Sequence, residues 1–193
     1  MILPQSFYNR SPDIVARELL GATLVHTAHG HVRAGRIVET EAYFSDNDGA
    51  CHAASGKTSR NNAMFGPPGH AYVYFCYGNH WLVNAVTEGE GTASAVLIRA
   101  LEPFEGIDAM RRARGNRPDR ELTNGPGKLC AALGITREHN SLPLFSGPLT
   151  IRAANAPPAK IRTSRRIGIR DSAHLEARYF IAGNAWVSKA RPS

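Results

Sequence analysis

The sequence predicts an α+β fold. Three observations carry that prediction: short segments with period-two apolar character, a small number of helical stretches, and no alternating βαβ rhythm of the kind that builds a parallel sheet. At 193 residues the chain fits one domain with a substantial core, whereas two independent domains would each be small. We therefore expect a single compact domain over residues 1–193, with a mixed or antiparallel curved sheet, a protruding β-hairpin and surrounding helices.

Ser11-Pro12-Asp13 opens the first helix, because a serine hydroxyl accepts a free amide and proline fits the first helical position; Gly21 closes it after Leu19 and Leu20. Strands follow over residues 22–27 and 31–42, joined around Gly30. The polar stretch from Ser45 to Gly69 is long for a loop, and loops of that length are commonly functional. Residues 71–77 and 80–87 form the clearest hairpin, turning at Gly78-Asn79, with Tyr72 and Tyr74 on one face and Val73, Phe75 and Tyr77 on the other. Another strand over 93–100 ends near Arg99. A helix over 104–114 carries Arg111, Arg112 and Arg114, and a further one runs from Gly127-Lys128 to Leu133 before Gly134. The last strands fall at 148–153, 161–169 and 177–182.

Lysine plus arginine number 23 against 16 acids, a net charge of +7 with histidines neutral, which favours a polyanionic partner. The charge is arginine-heavy and spread over several loops, with no lysine-rich amphipathic helix, so nucleic acid ranks above a membrane surface. Surplus charge serving only solubility is the competing reading. Cys51, Cys76 and Cys130 are far apart and never in a C-x-x-C pair, which argues against a disulfide framework or structural zinc and fits a reducing compartment. His26, His29 and His31 flank Gly30 with no acid or thiol among them, and read as solvated turn residues rather than metal ligands. No stretch approaches the length of a membrane-spanning helix, and Met1 to Gln5 lacks the start of a signal peptide. An intracellular location, in cytoplasm, nucleoid or nucleus, is the expectation.

Chemistry is concentrated at Arg36-Ile37-Val38-Glu39-Thr40-Glu41-Ala42-Tyr43. Two acids are written into an otherwise apolar strand, and at a period of two Glu39, Glu41 and Tyr43 share a face. A desolvated carboxylate near a second one has its pKa pushed upward, which suits proton transfer. An exposed edge strand with solvated acids explains the same letters equally well.

Glu39-Thr40-Glu41-Ala42-Tyr43, Ala50-Cys51-His52, Arg60-Asn61, Met64-Phe65, Tyr72-Val73-Tyr74, Tyr77-Gly78, Asn84, Leu97 to Pro103 and Asn124 to Cys130 together resemble the alkyladenine (3-methyladenine) DNA glycosylase family. The resemblance runs from about Phe7 to Lys189 and includes Arg166-Ile167-Gly168-Ile169, Arg178-Tyr179-Phe180-Ile181 and Trp186-Val187-Ser188 near the end. It implies base-excision repair of alkylated purines in duplex DNA, 3-methyladenine first, with 7-methylguanine, hypoxanthine and ethenoadenine as further candidates. It also implies a monofunctional, water-mediated reaction with no metal or cofactor, carried out by a monomer. Glu41 matches the general base and Arg99 a residue beside it. Tyr43, His52 and Tyr74 match the walls of the base pocket, Tyr77 the wedge that fills the vacated stack, and Asn84 the position that discriminates against normal bases. Arg60 and Lys128 are phosphate candidates, the latter at the start of a helix. Two places depart from the family pattern: Asn79-His80-Trp81 after the wedge, and Gly127 where a small hydroxyl residue is expected.

Each assignment has a plainer competitor. Tyrosines in strands most often pack a core, a single histidine is most often structural, and Glu39 can pair with Arg36 or Arg99 and hold the strand without reacting. A catalytically silent damaged-DNA-binding protein is the alternative for the whole chain. A zinc base deaminase is disfavoured because no H-x-E followed by P-C-x-x-C is present.

Overall fold

Alternation along the strands sorts side chains onto two faces of one antiparallel sheet, and that sorting places the site. The structure is a computed structural model describing residues 1–76, 78–158 and 160–189, so the predicted wedge Tyr77 lies outside the described residues. In chain order the elements are α1 (Gln5–Tyr8), α2 (Pro12–Glu18), β1 (Thr23–Ala28), β2 (His31–Tyr43), β3 (Ala71–Cys76), β4 (His80–Thr87), β5 (Ser94–Glu105), α3 (Ile107–Ala113), α4 (Pro126–Leu133), β6 (Leu149–Arg152), β7 (Ile161–Ser164) and β8 (Arg178–Ile181). Short 3-10 turns cover Asn62–Phe65, Asp119–Glu121 and Arg137–His139.

The strands run in the order β3-β4-β5-β2-β1-β6, and β8 joins β2 beyond the end of its pairing with β1, with β7 outside it. Every pairing is antiparallel. The α+β class holds, and β2 is a central strand with neighbours on both sides. That disposes of the edge-strand reading: Glu39 and Glu41 are fully buried. The β1–β2 turn places both His29 and Gly30 at positive φ, the twist that suits a two-residue hairpin connection.

Ala42, Ala71, Val73, Ala85, Val96 and Ile98 face the main core, where α2 and α4 cover the sheet. Their alternating neighbours Tyr43, Tyr72, Tyr74, Val86 and Ala95 face a second, smaller cluster with Cys51, Met64 and Phe65 from the long loop. The ends of the 45–69 loop, at Cys51 and at Ala63 to Phe65, therefore pack on the second face of the sheet, while residues 54–60 between them are exposed.

Several boundaries differ from expectation. The Ser11 hydroxyl donates to the Asp13 carboxylate and caps no backbone amide of α2. Strand β5 continues past Arg99 to Glu105, because β2 offers it a partner all the way to Ala34. Helix α3 begins later than expected, at Ile107, behind Gly106 in the left-handed region. Strand β7 stops at Ser164, since the following residues leave the sheet to reach β2 and the loop after it.

His26 is not a solvated turn residue. It is buried on β1, and its Nε2 lies 2.9 Å from Nε2 of His139. His26 Nδ1 donates to the Leu133 carbonyl at 2.7 Å, while the Thr136 amide donates to His139 Nδ1 at 3.1 Å. The pair thus shares one proton, donated by His139 to His26. His29 and His31 are exposed as expected, and among the described residues no group of three metal-ligating side chains converges.

Candidate active site

Strand β2 carries Glu39, Glu41 and Tyr43, and β5 runs beside it with a defect at the point that matters. Thr40 pairs with Ile98 and Glu39 with Ala100, which leaves Arg99 as an extra residue opposite no partner. A bulge of this kind re-aims a side chain. Here it sends the Arg99 guanidinium between the two carboxylates: Nε donates to Glu39 Oε1 at 2.9 Å and Nη1 to Glu41 Oε2 at 3.1 Å. The acids therefore do not face each other; an arginine stands between them. Burial works against the Arg99 charge, but Glu41 and Glu39 outweigh it and raise its pKa.

Glu41 receives two further hydrogen bonds. The Tyr43 hydroxyl donates to Oε2 at 2.9 Å, and the Ile167 amide donates to Oε1 at 2.8 Å. A carboxylate offers about four acceptor positions, so three donors hold it in place and leave one acceptor position free. Glu39 is saturated: besides Arg99 it accepts from Arg178 Nε at 2.8 Å and from the Ser188 amide and hydroxyl, both at 2.7 Å. Of the two partners proposed for Glu39, Arg99 is correct and Arg36 is not, because Arg36 pairs with Glu102. Full saturation suits Glu39 to orienting Arg99 rather than to exchanging protons.

The aromatic pocket lies next to this carboxylate. Tyr72 and Tyr74 stack at 5.2 Å between ring centroids, and His52 meets Tyr74 edge-on at 4.4 Å. His52 Nδ1 is 2.9 Å from the Tyr72 hydroxyl. Burial, then Arg60, lowers the His52 pKa, so the ring is neutral at pH 7. Burial and then the Glu41 charge hold the Tyr43 hydroxyl well above its ordinary pKa, and burial raises Tyr72 to about 12. Asn84, on β4 opposite Tyr72, is buried and donates to the Tyr72 carbonyl at 3.0 Å.

Arg60 is exposed; it donates to the Phe75 carbonyl at 2.9 Å and lies 5.9 Å from the Tyr74 ring centroid. Lys128 stands apart at the start of α4, bonded to Asn124 Oδ1 at 2.8 Å. It lines a groove of about 1530 Å³ that also takes in Arg120, Arg165, Arg170, Ile167 and Ser188, so this groove leads to the buried carboxylates. Glu121 and Glu176 also border it. Glu41, Arg99, Tyr43, His52, Tyr74 and Asn84 are thus brought to one side of the sheet, with Arg60 at the pocket and Lys128 along the groove.

The arrangement depends on residues to which sequence reasoning gave no role in the site. Asp48 and Arg166 form a bidentate pair at 2.6 and 2.7 Å, and Arg178 and Ser188 clamp Glu39. The signal for them was the matching of three buried acids by three arginines. That match is invisible until the fold places them together.

The sequence that builds this site has counterparts among known proteins. Residues 6–185 match the family described as Methylpurine-DNA glycosylase. The chain belongs to that family. Within the methylpurine-DNA glycosylase family it is 49% identical over 192 residues to a protein of Chlorobaculum tepidum, covering 98% of this chain and 92% of the relative. It is also 49% identical to one of Carboxydothermus hydrogenoformans, with 98% and 100% covered, and 48% identical to one of Methanoculleus marisnigri at the same coverage. All three bear the name "Putative 3-methyladenine DNA glycosylase". Family membership makes DNA the substrate and repair the setting. Among the described residues no helix is long and apolar enough to cross a membrane.

Proposed function

We propose that this chain is a monofunctional DNA N-glycosylase that extrudes an alkylated purine from duplex DNA and releases it by hydrolysis, 3-methyladenine being the principal lesion. The observation that carries this reading is Glu41: a fully buried carboxylate, held by three donors with one acceptor position to spare, at the edge of an aromatic pocket.

Reaching a glycosidic bond inside a duplex requires flipping the nucleotide, at a cost of a few kcal/mol that is least for damaged bases. Tyr77 at the hairpin tip is proposed as the side chain that fills the vacated stack, and basic residues along the groove as phosphate contacts. Tyr43, His52 and Tyr74 receive the base, and Asn84 crowds the exocyclic amino group of a normal purine. A water on the remaining lone pair of Glu41 attacks the anomeric carbon. Its proton passes to Glu41, the new C–O bond forms, and the N-glycosidic pair leaves with the base. A base cationic from alkylation departs neutral, so a single carboxylate suffices, in contrast to the acid and base that glycoside hydrolases need. Arg99 donates to Glu41 and fixes the orientation of its carboxylate for the attack.

A lyase would instead need an amine nucleophile. Lys57 lies 5.3 Å over Phe65 and Lys128 is bonded to Asn124. Borohydride trapping on lesion DNA is expected to yield no adduct. The deciding experiment is single-turnover base release from methylated DNA and from duplexes carrying one ethenoadenine or hypoxanthine, for the wild type and Glu41→Gln. Release that vanishes in the variant while lesion binding persists supports the assignment. Binding without release in the wild type makes the chain a damage-binding protein.

A further inference from the structure

Six charged groups other than histidine are buried among the described residues: Glu39, Glu41, Asp48, Arg99, Arg166 and Arg178. Glu41 and Arg99 belong to the reaction proposed above, Glu39 holds Arg99, and Arg178 holds Glu39. Asp48 and Arg166 are left without a part in it. Theirs is the most buried ion pair among the described residues, with side chains 0% and 1% exposed.

Geometry ties this pair to the base pocket. The Arg166 guanidinium lies 4.6 Å from the centroid of the Tyr43 ring, so it occupies one face of that tyrosine. A base can stack only on the other face. Arg166 Nη1 also donates to the Ala42 carbonyl at 3.0 Å, between Glu41 and Tyr43, and the next residue supplies the Ile167 amide that holds Glu41. A full positive charge is thus fixed directly behind the surface on which the base would lie.

We propose that Asp48 is a specificity-determining residue that acts through Arg166: by neutralising the guanidinium behind Tyr43 it keeps the pocket open to cationic purines. The proposal rests on the glycosylase reading. A base stacked about 3.5 Å from Tyr43 lies about 8 Å from Arg166, where two unit charges at an effective dielectric near 20 repel by an amount equivalent to about thirtyfold in affinity. Paired with Asp48 the guanidinium presents only a dipole to the pocket, and that penalty largely disappears. A neutral base feels little of either arrangement.

The test compares a fixed cation, 7-methylguanine, with a neutral lesion, hypoxanthine, in otherwise identical duplexes. Single-turnover release and Kd relative to undamaged duplex are measured for the wild type, Asp48→Asn, Arg166→Gln and the double variant. Asp48→Asn leaves the cation uncompensated and is expected to lower the ratio of cationic to neutral recognition about tenfold or more. Arg166→Gln leaves the anion and is expected to raise the ratio, and the near-isosteric, uncharged double variant returns it toward the wild type. If both lesions suffer equally and the ratio stays constant, the pair only holds the loop and the proposal is wrong. Should Asp48→Asn fail to fold, Arg166→Gln decides the matter, and an unchanged ratio there overturns the proposal. Wild-type protein that neither binds nor releases either lesion defeats the glycosylase reading itself, a different failure.

Discussion

The His80 imidazole lies where the side chain of any residue larger than glycine at position 127 would stand. A Cβ built on Gly127 falls 2.7 Å from His80 Cγ and 2.8 Å from its Cβ, with the histidine at the turn end of the β3–β4 hairpin and the glycine in the first turn of α4. The two departures from the family pattern are thus one contact: the imidazole fills the place a hydroxymethyl group would occupy. Because the clash involves the root of the histidine, rotating the ring does not relieve it, and the hairpin has to move. Gly127→Ala is expected to destabilise the protein by about 1–3 kcal/mol. In a His80→Gly background, which removes both the ring and the clashing Cβ, the same change is expected to stabilise by up to about 1 kcal/mol, since alanine is the better helix former. Chemical denaturation of the four proteins measures both signs.

Tyr43 has two separable attachments, its ring to the pocket and its hydroxyl to Glu41. Tyr43→Phe removes only the 2.9 Å hydrogen bond and is expected to slow base release about tenfold, a loss of about 1–1.5 kcal/mol, with lesion binding retained. Tyr43→Ala removes the stacking surface as well and is expected to weaken lesion binding by about 1–3 kcal/mol. Single-turnover rates and Kd values for the two variants separate these effects; an unchanged release rate in Tyr43→Phe would remove the hydroxyl from the mechanism.

Protonation opposes the fold on the acid side of neutrality. Burial lowers the His26 pKa, with His139 and Arg33 adding to it against the Leu133 hydrogen bond, and burial with Arg60 lowers that of His52. In the unfolded chain both take up protons below about pH 6.5, while in the folded protein they do so only at lower pH. The unfolded state therefore binds more protons there, and stability is expected to fall as the pH drops below about 6.5, with little of this effect above 7. His26→Gln and His52→Gln are each expected to flatten that slope, measured as unfolding free energy against pH.

Lys128 offers the simplest reading of the groove. With its amine bonded to Asn124 at the groove wall, Lys128→Ala is expected to weaken binding to damaged and undamaged duplexes by the same factor and to reduce the slope of log K against log salt by about one. A loss confined to lesion DNA would give the lysine a part in recognition instead.

Period-two patterning made the sheet legible, because each strand has one face on the main core and its alternating residues speak for themselves. The hairpin at Gly78-Asn79 and the acids of β2 were legible for the same reason. What eluded the sequence was tertiary charge pairing. Glu39 finds Arg178 across 139 positions and Ser188 across 149, and Asp48 finds Arg166 across 118. No local signal marks such partners. The aim of Arg99 depends on a bulge, which patterning does not show, and His26 reads as a turn residue until residues 133–139 are folded against it.

The closure of Glu39 by Ser188 bears on the order in which the protein is made. Strand β2 emerges early in synthesis with two carboxylates whose partners Ile167, Arg178 and Ser188 do not yet exist. Such distant pairings form late, because the intervening chain must be ordered before they repay the entropy of closing it. Assembly of the site thus waits on the carboxy-terminal segment: a nascent chain holds the sheet residues of the pocket but not the geometry around Glu41, so the capacity to cut a base from DNA arises only once nearly the whole polypeptide has folded.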